Sequence, residues 1–68
     1  MNKYLTGRIK FYDATKGFGF IKADTTNKKY FFHMDHVTGS MVLSRGDAVT
    51  FDEKETNRGI HAINVTKL

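Results

Sequence analysis

Lys16-Gly17-Phe18-Gly19-Phe20-Ile21 is the segment on which the architecture of this chain turns. Successive side chains on a β-strand point to opposite faces, so Phe18 and Phe20 share one face and Ile21 takes the other. Glycine weakens a strand and adds nothing to a core. Two glycines around Phe18 therefore predict that something flat approaches the backbone there and lies on the rings. A second run, Tyr30-Phe31-Phe32-His33-Met34, puts Phe31 and His33 on one face and Tyr30 and Phe32 on the other. Pairing of the two strands would join Phe18, Phe20, Phe31 and His33 into one π-rich platform beside basic residues. Unpaired bases stack on surfaces of that kind.

Working outward, residues 4–12 read as a strand, and Asp13-Ala14-Thr15-Lys16 as the turn before the second strand, 17–23. A polar turn, Asp24-Thr25-Thr26-Asn27-Lys28, leads to a third strand, 29–33. Residues 34–37 form one helical turn with Asp35 as its cap, and 38–47 is irregular, hinged at Gly39 and Gly46. Residues 48–54 make a fourth strand with Val49 and Phe51 on one face. Thr56-Asn57-Arg58-Gly59 is a hairpin turn, since Asn and Gly tolerate positive φ. Residues 60–67 close the chain as a fifth strand, with Ile63 and Val65 on one face. No segment carries the i, i+3, i+4, i+7 apolar pattern of an amphipathic helix. Five strands in so short a chain leave a small closed barrel as the economical all-β solution, because closure removes exposed edges. Ile9, Ile21, Tyr30, Phe32, Val37, Val49, Phe51, Ile63 and Val65 suffice to fill it, which frees Phe18, Phe20 and Phe31 for the surface.

Sixty-eight residues predict one domain, 1–68, near the lower limit for folding without staples. There is no Cys to form a disulfide or thiolate metal site, and no Pro to stiffen a loop. The net charge is +4 and the pI about 9.6. Residues 1–34 hold seven basic residues against Asp13 and Asp24, a balance of +5, whereas residues 35–68 hold four basic and five acidic, a balance of −1. A polyanion is drawn to the half that carries the aromatic runs. No apolar stretch approaches the roughly 18 residues of a membrane span, and the N-terminus has no signal-peptide pattern. A soluble, cytoplasmic protein without membrane contact is expected.

The motifs Gly7-Arg8-Ile9-Lys10-Phe11-Tyr12, Lys16 to Ile21, Tyr30 to Met34 and Asn57-Arg58-Gly59 resemble the bacterial cold shock proteins. The resemblance runs from about Thr6 to Lys67. It implies a five-stranded antiparallel OB-type barrel that binds single-stranded RNA and DNA and acts as an RNA chaperone. The binding face it implies comprises Lys10, Phe11, Tyr12, Lys16, Phe18, Phe20, Phe31, His33 and Arg58, with Met34 and Met41 at two further family positions. Phe11 stands where the family usually has Trp, and Met34 and Met41 where it usually has aromatic residues. Phe11 lacks the larger stacking surface of Trp, and methionine lies against a base face without a π-system, so weaker stacking is expected at these three sites. Strict alternation would place Ile9 and Phe11 on one face, whereas the family buries the first and exposes the second. A bulge in the first strand reconciles them.

Other chemistry finds little support. His33 and His36 without Cys seldom make a closed zinc site, so no metal or other cofactor is expected. Asp13, Asp24, Asp35 and Asp52-Glu53-Lys54-Glu55 read as turn and surface charges, and Ser40 and Ser44 have no oriented base. The chain is thus expected to be no enzyme, to take no small-molecule substrate, and to be a monomer. An RNA recognition motif needs two amphipathic helices that are missing here. The expected activity is an ATP-independent RNA chaperone that stacks unpaired bases, with Lys10, Lys16, Lys28, Lys29 and Arg58 near the phosphates. Two alternatives remain open: a single-stranded DNA-binding transcription factor of the same fold, and a protein-interaction module using the aromatic patch.

Overall fold

In the computed structural model the chain is described over residues 4–38 and 43–68. Five strands form: β1 (Leu5–Asp13), β2 (Phe18–Ala23), β3 (Lys29–His33), β4 (Ala48–Thr56) and β5 (Gly59–Lys67), with a 3-10 turn, Met34–His36, after β3. They close into a barrel in the order β1-β2-β3-β5-β4. Four pairings are antiparallel, and β3 meets β5 in parallel at Phe31 and His61. The expectation of a wholly antiparallel barrel is refined here. A closed ring with an odd number of strands cannot alternate direction all the way round, so at least one neighbouring pair must run parallel.

The core follows the period-2 pattern. Ile9, Ile21, Tyr30, Phe32, Val49, Phe51 and Val65 are fully enclosed, joined by Ala23, Leu43 and Ala62. Each large side chain so buried contributes about 1.5–3 kcal/mol. Val37 packs against this core from its margin. The expectation for Ile63 fails: it is only half-buried, and Ala62 takes the interior position. The cause is a bulge. The β4/β5 register slips between Thr50 and Asp52, so Asn64 and Val65 together oppose Phe51. Asn64 adopts φ 53°, the left-handed conformation that a bulge of this type requires, and its amide donates to Asp52 Oδ2 at 3.0 Å.

A second bulge lies where the family resemblance asks for one. The β1/β2 register slips between Ile9 and Phe11, with Lys10 as the extra residue. Ile9 therefore points inward while Phe11 emerges 43% exposed. Beyond the bulge Tyr12 turns back toward the interior, where its ring stacks on Phe32 at 5.8 Å and 7°.

The glycines beside Phe18 are explained by contacts within the chain. A Cβ on Gly19 would strike the carbonyl oxygen of Phe11 and come within 2.9 Å of the Phe32 ring. Gly17 has φ 75°, and Met34 Sδ occupies the place its Cβ would need. Both residues are missing their side chains to seat neighbours of this chain, which differs from the expected approach of a flat external group.

In the turns, Asp13 Oδ1 accepts from the backbone of Thr15 and Lys16, each at 3.0 Å. The hairpin between β4 and β5 takes its positive φ at Gly59 alone, and Asn57 stays outside the left-handed region. His33, in place of the expected Asp35, caps the 3-10 turn: its Nδ1 accepts from the Asp35 amide at 3.1 Å.

Candidate nucleic-acid interface

Register across β1, β2 and β3 sorts the outer face into three rows. Asp13, Phe18 and His33 form the first, and Phe11, Phe20 and Phe31 the second, which continues onto β5 at His61. Arg8, Lys22 and Lys29 form the third. Each row is two residues, about 6.6 Å, from the next along β2 and β3, while on β1 the bulge makes the step from Phe11 to Arg8 three residues.

The aromatic side chains of the first two rows touch. Phe18 lies 5.6 Å from Phe31 with the rings nearly parallel at 25°, and Phe20 meets Phe31 edge-on at 5.9 Å. Phe11 lies 5.7 Å from Phe18 and 6.2 Å from Phe20. His61 extends the patch, 5.0 Å from Phe31. Offset and edge-on contacts at these separations are favourable in themselves, about 0.5–1.5 kcal/mol each, and hold the rings in fixed poses. Phe18, Phe20 and Phe31 are half-buried by one another while their outer sides stay open. The Lys29 ammonium stands 5.1 Å from the centre of the Phe20 ring. A planar, negatively charged polymer would find both stacking faces and cations here.

The sequence-predicted residues do not all gather in this patch. Phe11, Phe18, Phe20 and Phe31 form it, and His33 stands exposed at its edge, 3.5 Å from the Asp35 carboxylate. Met34, 48% exposed, lies over Gly17 and donates its backbone N–H to that residue's carbonyl at 2.9 Å. Lys16 and Arg58 are exposed in the β1–β2 and β4–β5 turns. Lys10 is exposed on the bulge. Tyr12 is set apart, its ring against Phe32 on the core side. Met41, like Gly39 and Ser40, lies outside the described residues. Sequence reasoning missed His61 because its neighbour Phe31 is reached only through the parallel closure of the barrel, which no local pattern announces.

Among the described residues no three His, Cys, Asp or Glu converge as metal ligands. No helix there is long and apolar enough to cross a membrane.

Comparison with known proteins agrees with this geometry. The family described as "'Cold-shock' DNA-binding domain" matches residues 5–68. The chain is 41% identical over 66 residues to the cold shock-like protein CspE of Bacillus anthracis, covering 94% of this chain and 97% of that protein. It is 34% identical over 70 aligned positions to the cold shock-like protein CspA of Vibrio cholerae, covering all of both. Among solved structures, drosophila Unr CSD456 superposes with a TM-score of 0.83 at 26% identity, over 98% of this chain and 27% of that longer one. With a five-stranded OB-type barrel, an outward aromatic patch and a family match over nearly its whole length, the chain belongs to the cold-shock domain family, a nucleic-acid-binding fold.

Proposed function

We propose that this protein binds single-stranded nucleic acid, chiefly RNA, and acts as an ATP-independent RNA chaperone. The observation that carries the reading is the contact network of Phe11, Phe18, Phe20, Phe31 and His61 on the outside of a barrel whose core is already filled. Bases stack on these rings, each contact being worth about 1–3 kcal/mol. Stacking needs free base faces, so the protein selects unpaired segments. By occupying them it shifts hairpins toward their open forms through mass action, and no energy source is required.

The test is anisotropy of a labelled oligonucleotide, presented as a single strand and as a blunt duplex, followed by opening of a fluorophore-quencher RNA hairpin without nucleotide triphosphate. Strong preference for the single strand and hairpin opening at saturating protein are expected. Equal affinity for strand and duplex would overturn the reading. The family's description as a DNA-binding domain favours a second reading, a single-stranded DNA-binding factor in transcription. Matched RNA and DNA oligonucleotides compare the two, since a contact to the 2′-OH is what separates them.

A further inference from the structure

The third row of the outer face is basic where the second is aromatic, and it opens onto a cleft. Lys10, Lys22, Asn27 and Lys29 surround a space of about 340 Å³. The four residues come from three neighbouring strands and a turn. Lys10 is the extra residue of the β1 bulge, Lys22 and Lys29 are register partners across β2 and β3, and Asn27 sits in the turn joining them with φ 59°.

Like charges placed directly opposite one another across strands are destabilising. The two ion pairs among the described residues, His33–Asp35 and Lys67–Asp47, leave all three lysines out. Arg8, the neighbour of Lys22 in the row, turns its guanidinium to the Gly46 carbonyl at 3.2 Å. Among the described residues no carboxylate lines the cleft. The arrangement gathers positive charge without compensation from the protein itself, and a bound anion would relieve it. Lys29 links the cleft to the ring patch, because its ammonium also stands over Phe20.

We propose that this cleft is a phosphate subsite: it holds a backbone phosphate of the same nucleic-acid strand, just beyond the base stacked on Phe20. The inference rests on the single-strand-binding reading above and deepens it. The track runs from the rings toward the β2–β3 turn, and Lys22 and Asn27 belong to it along with Lys10 and Lys29. The Asn27 amide supplies neutral donors to a phosphate oxygen, and the lysines supply charge.

The experiment uses labelled oligothymidylates of three to nine nucleotides with the parent protein and Lys22→Met, which keeps an aliphatic stem and removes the charge. Lys22 is exposed, and a urea melt at low salt checks that the variant folds. For the longer strands, Lys22→Met should weaken binding about three- to tenfold. It should also reduce the slope of log K against log salt by about 0.7, the value for one phosphate contact on a single strand. For strands too short to reach past Phe20 it should change neither. Lys22→Glu should enlarge the long-strand loss. Inorganic phosphate, compared with chloride at equal ionic strength, is the competing probe for the cleft. Specific displacement of the long strands alone would support the proposal, whereas displacement of short and long strands alike would place the anion's competition outside the cleft and overturn it. If the parent binds long strands and Lys22→Met leaves affinity and salt slope unchanged, the subsite is wrong while the ring platform stands. If the parent binds neither oligothymidylate nor oligouridylate of any of these lengths, the function itself is wrong.

Discussion

Phe31 and Phe32 are the same chemical group one residue apart, and the barrel wall runs between them. Phe32 is fully enclosed, under Gly19 and against the Tyr12 ring, whereas Phe31 faces outward among Phe18, Phe20 and His61. Phe32→Ala should therefore cost about 3–5 kcal/mol of stability by leaving a cavity. In so small a domain that is a large part of the whole. Phe31→Ala loses ring contacts to Phe18, Phe20 and His61 but opens no interior cavity, so it should cost clearly less stability than Phe32→Ala while weakening oligonucleotide binding by about 1–3 kcal/mol. Melts and titrations of the two variants check the pair, and the reverse pattern would mean every face is inverted. Tyr30 makes a second residue-scale prediction. Burial, then the hydrogen bond its hydroxyl donates to Glu53 at 2.9 Å and the charge of that carboxylate, raise the Tyr30 pKa above its ordinary value, against a smaller opposing effect of Thr26. The folded state thus keeps a proton that the unfolded state loses near pH 10. This contribution to stability is complete below about pH 10 and is lost as pH rises toward the folded-state value. Parent and Tyr30→Phe should accordingly diverge in urea stability on the alkaline side, the parent falling more steeply; parallel curves would contradict the assignment.

At the scale of elements, both departures from strict alternation are bulges, and they differed in how far the sequence announced them. Around Lys10 the conflict was visible through the family resemblance, which buries Ile9 and exposes Phe11 where alternation puts both on one face, and the register slips there. The same slip carries Tyr12 inward, a consequence that a list of motif residues does not convey. Around Asn64 nothing in Ile60 to Thr66 conflicts locally: Ile63 and Val65 look like one apolar face until Asn64 enters the left-handed region and Ala62 turns inward instead. The strands themselves, the split between Phe31 and Phe32, and the outward Phe18 and Phe20 were legible because period 2 acts within a few residues. His61 and the basic cleft were not, since they depend on which strands become neighbours. The β5 bulge can be tested directly. Asn64→Val should cost about 1–3 kcal/mol in urea melts, because a β-branched residue resists φ near 53°. Asn64→Gly should cost less despite losing the bond to Asp52, and an equal loss in both would place the energy in that hydrogen bond instead.

For the molecule as a whole, the proposed function has charge and stacking act on one ligand, and the two answer differently to salt. If about four phosphates are neutralised, log K should fall with log salt at a slope no steeper than about −2.8, and stacking should persist at high salt. A slope steeper than about −5 would make charge the main source of affinity; anisotropy titrations over a range of sodium chloride decide it. The closure of the barrel gives this binding a mechanical side. β3 and β5 meet through one registered pair, Phe31 and His61, followed by the isolated Val37–Val65 bridge. It is the narrowest join in the wall, and its outer side chains are two members of the ring patch. A strand lying across both rings spans that join like a clasp. In the proposed complex, parting β3 from β5 would first have to peel the strand away, so ligand release and the opening of the barrel would share a step. Under the proposed function, a protein that keeps nucleic acid from closing on itself would be kept closed by what it holds.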